Sequence, residues 1–194
     1  VALDRVIIDS AWDSHSGFRE AFSRLVGAPP GRARGGEPVI AATCNTPLGT
    51  MVAAAVEDGV VLLEFGDIAR LTQQAPSLRK WFHGPVVAGQ HRHLTALFTE
   101  LEEYFTGKRR EFTVPLVLCG SPFELAVWRA LQAIPYGSTC SYADVARAIN
   151  NPKAVRAVGS ANGKNRLPIL VPCHRVVNTG GKLGGYGGGL WRKV

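Results

Sequence analysis

The 194-residue sequence contains no long apolar run, no C-x-x-C pair and only four cysteines. Its apolar stretches, such as residues 60–63, are far shorter than the roughly 20 residues that a helix needs to span a bilayer, so we expect no membrane association. The cysteines are too widely spaced for a thiolate zinc site, and no phosphate-binding glycine loop is present. We therefore predict neither a metal site nor a cofactor. The four cysteines are Cys44, Cys119, Cys140 and Cys173.

An initiator methionine and a secretory signal are also missing from the first residues. We therefore expect the sequence to begin inside a longer reading frame and the protein to act in the cytoplasm with reduced thiols. Hydrophobic residues make up 46% of the sequence and charged residues 19%, as in folded proteins with real cores. The formal net charge of +7 suits a polyanionic partner such as nucleic acid, although the charge alone is equally compatible with simple solubility.

Turn residues and hydrophobic spacing divide the sequence into three regions. Residues 1–36 have the pattern of a helix followed by a basic, glycine-containing linker, and residues 38–66 predict three strands joined by two turns. A helix is predicted over residues 90–106, where leucines and phenylalanines recur on one side. We therefore expect an α+β fold. Its parts are a terminal segment (1–36), a domain with a small three-stranded antiparallel sheet and a helix (37–117), and an all-α domain (118–194).

The all-α domain is predicted to contain a helix-turn-helix. The segment Ser121-Pro122-Phe123-Glu124 has the pattern of a helix N-terminus closed by a capping box. A short helix is predicted within residues 142–149 and a second over residues 153–161, with Asn151-Pro152 as the N-cap and first residue of the second helix. Two helices joined so tightly make a helix-turn-helix.

The second helix of this pair has an unusual surface. Its outward residues are small, and Arg156 is the one long side chain between them. Helices that read the major groove of DNA carry several long polar side chains, whereas a smooth helix with a single arginine suits close approach to the minor groove. The alternative is that the small residues pack against a neighbouring helix and leave Arg156 in solvent.

The segment Pro172-Cys173-His174-Arg175-Val176 follows an apolar run at residues 167–171, which we predict to be a buried strand. A cysteine beside a histidine is weak support for catalysis, because neighbours on a strand point to opposite faces and buried cysteines are commonly inert. A nucleophilic cysteine needs a base or a positive environment, and His174 and Arg175 supply both if the chain bends. Cys173 is therefore a candidate nucleophile.

With these motifs in place, residues 137–193 resemble the DNA-binding and active-site region of O6-alkylguanine-DNA alkyltransferases. A weaker similarity extends back to residue 38, and residues 159–163 resemble the bacterial adaptive-response (Ada-type) branch. The resemblance implies a ribonuclease H-like N-terminal domain, a winged-helix-like second domain and a monomer without a cofactor. The matching segments, in order and without gaps, are Ser141-Tyr142, residues 151–159, Asn165, residues 168–176 and Gly185-Tyr186.

The resemblance implies that double-stranded DNA with alkylated guanine is the partner, and that Cys173 takes the alkyl group from O6-alkylguanine, and from O4-alkylthymine, after the nucleotide has been flipped out. His174 is implied to deprotonate Cys173 through a water, and Asn165 to be a hinge that bonds the backbone around the site. Tyr142 is implied to press on the target phosphate and to donate a hydrogen bond to the guanine. A thioether is not reopened by thiol exchange, so a single turnover is expected.

The same resemblance implies roles for the remaining site residues. Arg156 fills the space that the flipped base leaves, and the small residues Ala154, Ala157 and Gly159 let the helix lie in the minor groove. Further DNA contacts are expected from Lys153 and Ser160. The substrate pocket is implied to consist of Pro168, Val176, Tyr186, Gly187 and Lys193.

The sequence departs from the family pattern in three places. Relatives continue beyond Lys193 to a glutamate that orients the histidine, so an end at Val194 is expected to slow transfer and lower stability. Gly187 stands where many relatives have a larger residue, and we expect the wider pocket to admit bulkier alkyl groups. Residues 9–22 resemble the last helices of AraC-type regulators, although the rest of such a domain and the zinc module of adaptive-response proteins are missing.

Two other functions remain open from the sequence. A fragment of an adaptive-response regulator would bind damaged DNA without reacting, and a cysteine hydrolase would use Cys173 with a histidine. The hydrolase is disfavoured, because no separate Asn or Asp forms a recognisable motif with His83, His91 or His93.

Overall fold

The structure is a computed structural model and describes residues 36–193. Contacts within the chain divide it into two compact units between Val117 and Leu118, the position at which the sequence analysis places a domain boundary. The predicted terminal segment lies outside the described residues except for residue 36. Among the described helices, none combines the length and the hydropathy that crossing a membrane requires.

The first unit is built on a four-stranded sheet. Strands β1 (Val39–Thr46), β2 (Gly49–Val56) and β3 (Gly59–Phe65) form the predicted antiparallel meander. Strand β4 (Val86–Ala88) pairs in parallel with β1, which gives the order β3-β2-β1-β4. The prediction of three strands was therefore wrong by one strand, because three residues are too few to show the period-two alternation of a strand.

Two helices pack on this sheet. Helix α1 (Ile68–Trp81) contacts β3, and helix α2 (Arg92–Phe105) contacts β1, β2 and β3. Helix α2 confirms the prediction over residues 90–106, whereas α1 was not predicted. Its buried Leu71, Ala75 and Leu78 have helical spacing, but Pro76 lies inside the helix and interrupts the sequence pattern.

The second unit contains three short helices and a two-stranded ladder. Helix α3 (Pro122–Gln132) begins with the predicted capping box between Ser121 and Glu124. Strand β5 (Cys140–Ser141) runs directly into α4 (Tyr142–Ala148) and pairs in parallel with β6 (Val176–Val177). The sequence predicted a purely α-helical unit, and the two-stranded ladder shows that this prediction was wrong. This ladder ties the start of α4 to the chain that follows Cys173.

The helix-turn-helix is present, but its second helix starts later than predicted. Helix α5 spans Val155–Gly163 with Ala154 as its N-cap, so Pro152 is not its first residue. The amide of Ala154 instead donates to the carbonyl of Asn151 over 3.0 Å. This bond closes a four-residue turn in which Pro152 holds the second position, where its fixed φ is favourable.

Residues 167–171 are buried as expected, but they do not form a strand. The amide of Val171 donates to the carbonyl of Leu167 over 2.8 Å, and Ile169 has a φ of 75°. The prediction was wrong because an apolar run shows burial without showing backbone conformation. The coiled path brings the chain back towards Asn165 just before Cys173.

Candidate active site

Cys173 begins a single 3-10 turn, Cys173–Arg175, in which the Arg175 amide donates to the Pro172 carbonyl over 3.0 Å. The bend that the sequence analysis required is therefore present, and the objection based on strand geometry does not apply. Cys173 is 7% exposed, so very little bulk water reaches its thiol. A nucleophile in this position depends on the protein groups around it for activation.

The side chain of Asn165 connects the backbone of this region to the sulfur. Its Nδ2 donates to the Val171 carbonyl over 2.8 Å and to Cys173 Sγ over 3.1 Å, while its Oδ1 accepts from the Leu167 amide over 2.9 Å. The backbone contacts were expected from the hinge role, but the contact with the sulfur was not. A donor aimed at the sulfur favours the thiolate over the thiol.

His174 is held in its neutral form. Burial, together with the positive charges of Arg175 and Lys193, lowers the pKa of His174 to about 4. The imidazole is therefore unprotonated at neutral pH and has a nitrogen free to accept a proton. This is the protonation state that a general base requires.

Tyr142 and Lys193 lie close to each other and within electrostatic reach of Cys173. Lys193 Nζ is 5.9 Å from the centroid of the Tyr142 ring, and the charge of Cys173 acts on both groups. Burial, and secondarily Cys173, raises the pKa of Tyr142, so its hydroxyl stays protonated and can donate a hydrogen bond. Burial lowers the pKa of Lys193, and the charge of Cys173 opposes that change.

Helix α5 presents the smooth surface predicted from its composition. The buried side carries Val158 and Ala161, and Trp128 Nε1 donates to the Ala161 carbonyl over 3.0 Å. Ala154 and Gly159 are half-buried. The small residues of the buried side pack inward as the alternative expects, whereas the outer face of the helix is exposed. The exposed residues of the predicted DNA-binding set are Lys153, Arg156, Ala157 and Ser160.

The residues predicted for the substrate pocket differ in exposure. Pro168, Val176 and Lys193 are buried, Tyr186 is half-buried and Gly187 is exposed. Lys193 Nζ donates to the carbonyls of Gly184 and Gly185, each over 3.3 Å, which no sequence pattern predicted. These bonds join the last described residue to the glycine-rich segment that carries Tyr186 and Gly187.

Comparison with known proteins covers both units. The family model for the 6-O-methylguanine DNA methyltransferase DNA binding domain matches residues 122–194, and the model for the ribonuclease-like domain of the same family matches residues 39–118. The chain belongs to the 6-O-methylguanine DNA methyltransferase family. The domain with the Cys173 turn and the helix-turn-helix is thus the family's DNA binding domain.

The matches with individual relatives cover most of this chain and most of each relative. The constitutive methylated-DNA–protein-cysteine methyltransferase of Bacillus subtilis is 42% identical over 151 residues, which are 75% of this chain and 85% of that protein. The corresponding enzyme of Mycolicibacterium paratuberculosis is 43% identical, with 78% and 86% covered. The crystal structure of Mycobacterium tuberculosis OGT in complex with DNA is 36% identical, with a TM-score of 0.67 and 80% and 88% covered.

In this member of the methyltransferase family, the other three thiols are half-buried. Burial raises the pKa of Cys44 to about 12 and also raises the pKa values of Cys119 and Cys140. A raised pKa leaves less thiolate at neutral pH and makes a cysteine less nucleophilic. Between residues 36 and 193, no three His, Cys, Asp or Glu side chains are grouped so that they could hold a metal ion.

Proposed function

We propose that this protein repairs O6-alkylguanine in duplex DNA by transferring the alkyl group to Cys173 in a single turnover. The observation that carries the proposal is the hydrogen bond from Asn165 Nδ2 to Cys173 Sγ, because it places a donor on the sulfur beside a neutral histidine. O4-alkylthymine as a second substrate and a cytoplasmic, nucleoid-associated location belong to the same proposal.

The exposed face of α5 is the proposed DNA contact. Its small residues allow the backbone to approach a minor groove, and Arg156 enters the space left by the extruded nucleotide. Lys153 contributes charge towards the phosphates, and the net charge of +7 favours binding to a polyanion. Base flipping is needed because an alkyl group inside the stack is out of reach of a buried sulfur.

The chemical step is a displacement at the alkyl carbon. The thiol proton passes to His174 through a water, the sulfur forms a bond to the alkyl carbon, and the bond from that carbon to guanine O6 breaks with its electron pair. The guanine then takes a proton, and the protonated Tyr142 donates a hydrogen bond to it. Asn165 holds the sulfur during the attack, and the resulting thioether leaves no thiol for a second round.

The direct test is exposure of the protein to duplex DNA with one isotopically labelled O6-methylguanine. We expect one label per protein molecule, located on the peptide that contains Cys173, and unmodified guanine in the DNA. Binding of the duplex without any label on the protein would support the non-reactive fragment instead. Turnover of ester or peptide substrates would support the hydrolase.

The depressed pKa of His174 predicts a specific pH dependence of stability. An unfolded histidine binds a proton below pH 6.5, whereas folded His174 binds one only near pH 4. The unfolded state therefore holds more protons between these values, and the free energy of unfolding falls as the pH is lowered from 6.5 to 4. His174→Gln should remove about 2 kcal/mol of this fall, because partial exposure screens part of the full effect.

Urea unfolding at several pH values between 4.5 and 7.5 measures this difference. His83→Gln is the matched control, because His83 is exposed. A His174→Gln variant that keeps the wild-type slope would show that His174 is not held neutral by the fold.

Gly187 offers a test of lesion size. If the wider pocket admits larger groups, Gly187→Ser should lower the ratio of benzyl to methyl transfer by about tenfold, since steric discrimination of about 1.4 kcal/mol corresponds to a factor of ten. Gly185→Ser is a suitable control, because a side chain added at Gly185 meets no neighbour within 4 Å. Equal ratios in Gly187→Ser and the wild type would end this hypothesis.

A further inference from the structure

The glycine-rich segment over residues 180–189 has little conformational preference of its own. Seven of its ten residues are glycine, and Gly180, Gly181 and Gly189 have positive φ values. Glycine populates many backbone conformations with similar energy, so contacts outside the segment must set its position. The proposed pocket residues Tyr186 and Gly187 depend on that position.

Lys193 provides two of these contacts. Its Nζ donates to the Gly184 and Gly185 carbonyls, each over 3.3 Å, and the residue is 7% exposed. The same ammonium group lies 5.9 Å from the centroid of the Tyr142 ring. One buried cation therefore connects the middle of the segment to the first residue of α4.

Gly184 is the point at which the segment comes closest to its neighbours. A Cβ added there would lie 3.1 Å from Tyr142 Oη and 3.2 Å from Asn178 Oδ1, which is closer than ordinary van der Waals contact. The backbone can therefore reach Tyr142 in this way only because residue 184 has no side chain. Gly184 and Lys193 together define one docking point, the place at which the glycine-rich segment contacts Tyr142.

Burying the Lys193 ammonium group at this docking point costs free energy, because the charge loses its hydration. Burial disfavours the charged form of Lys193 and lowers its pKa, and the negative charge of Cys173 offsets part of that cost. An apolar side chain would fill the same space without a desolvation penalty, but it could not donate to two carbonyls. The two hydrogen bonds are what the lysine adds.

We infer that Lys193 is a positioning residue for alkyl transfer, which fastens the glycine-rich segment at Gly184 and Gly185 against Tyr142 and so fixes Tyr186 and Gly187 before the damaged base enters. This inference rests on the proposed function, because it concerns the same site. It predicts that loss of the lysine loosens the segment and weakens productive binding of the lesion, beyond any change that loss of its charge makes at Cys173 and His174.

Hydrogen exchange measured by mass spectrometry tests the fastening without using activity. The Gly181 amide donates to the Asn178 carbonyl just before the segment, and the Gly189 amide donates to the Tyr186 carbonyl within it, so exchange of these two amides reports opening of the segment. We expect exchange at these amides to be about tenfold faster in Lys193→Gln than in the wild type, and intermediate in Lys193→Arg, which keeps a cation of different shape. The control is Lys182→Gln, an exposed lysine of the same segment, which should exchange like the wild type.

Single-turnover alkyl transfer then tests the consequence. In Lys193→Gln the DNA concentration for half-maximal rate should rise about tenfold, with a smaller change in the rate at saturation. Gly184→Ala should act in the same direction, because its neighbours must move by a few tenths of an ångström. The double variant should be little worse than either single one, since both remove the same contact.

Two results would overturn the inference. One is hydrogen exchange in Lys193→Gln that matches the wild type, which would mean that the lysine acts only through its charge, and the other is an equal increase of exchange in Lys182→Gln. If Lys193→Gln fails to fold, Lys193→Arg and Gly184→Ala carry the same comparison. Absence of alkyl uptake by the wild type would instead refute the proposed function, whatever the exchange data show.

Discussion

Cys173→Ala is expected to lower alkyl transfer by at least about 10⁴-fold, the scale on which removal of a nucleophile acts. The reaction needs a sulfur that forms a bond to carbon, and the methyl side chain of alanine has no electron pair to donate. The fold should persist, because the change removes one atom from a 3-10 turn whose backbone bonds remain. Binding to duplex DNA with O6-methylguanine should therefore stay close to that of the wild type.

Mass spectrometry of the intact protein and a gel-shift titration measure these two properties in the same preparation. Cys140→Ala is the matched control, because Cys140 is a half-buried free thiol of the same unit. That variant should retain full transfer. Alkyl mass appearing on Cys173→Ala would show that another residue is the acceptor.

Among the residues that do not receive the alkyl group, substitution of Asn165 should have the largest effect on stability and on alkyl transfer. Asn165→Ala removes three hydrogen bonds of a residue that is 3% exposed and leaves the Leu167 amide and the Val171 carbonyl without it. Hydrogen bonds of this kind contribute about 1 kcal/mol each, and a buried group left unpaired costs more. We expect a loss of about 2–4 kcal/mol in the free energy of unfolding.

Asn165→Asp separates the structural contribution from the chemical one. The aspartate keeps an oxygen that accepts from Leu167, but it loses both N–H donors and places a negative charge near the sulfur. A like charge raises the pKa of a thiol, so the pH at which transfer reaches half its maximum should move upward. The rate at neutral pH should fall by about 10²-fold, because two pKa units correspond to a hundredfold loss of thiolate.

The control for both Asn165 variants is Gln132→Glu, which adds the same charge at an exposed position of α3. In urea unfolding and in a pH–rate series, that variant should behave like the wild type. A pH profile in Asn165→Asp that matches the wild type would show that the amide does not act on the sulfur.

Local patterns in the sequence predicted most of the elements around the site. The capping box at Ser121 and Glu124 marks a helix start, because its side chains bond only a few residues away. The three strands of the meander are apolar runs joined by turn residues, with β2 and β3 buried along most of their length. Such features depend on interactions between residues that are close in the sequence, so a single sequence is enough to predict them.

The errors arose where hydrogen bonds outside regular helices, or to a distant strand, decide the conformation. Strand β4 exists because residues 86–88 pair with β1, more than forty positions earlier in the chain. The coil at residues 167–171 depends on bonds to Asn165, and the late start of α5 depends on a turn that Asn151 closes with Ala154. None of these follows from hydrophobic spacing.

The site was predicted largely from a resemblance, and the structure adds contacts that the resemblance did not include. The roles of Cys173, His174, Asn165, Tyr142 and the residues of α5 remain predictions that the experiments above test. Only the structure reveals the Asn165 contact with the sulfur and the Lys193 bonds to Gly184 and Gly185. Each of these contacts joins a side chain to a group whose position depends on irregular coil.

Helix α5 leads almost directly from Arg156 to Asn165, and so to the sulfur that Asn165 contacts. Each residue of a helix advances the chain by about 1.5 Å and rotates it by about 100°. The helix therefore sets both the depth of the arginine and the angle at which it faces the DNA relative to the thiol. Inserting or deleting one residue in this stretch would turn Arg156 away from the groove while leaving every reactive group intact. The length of this helix is therefore constrained as well as the small size of its outward residues.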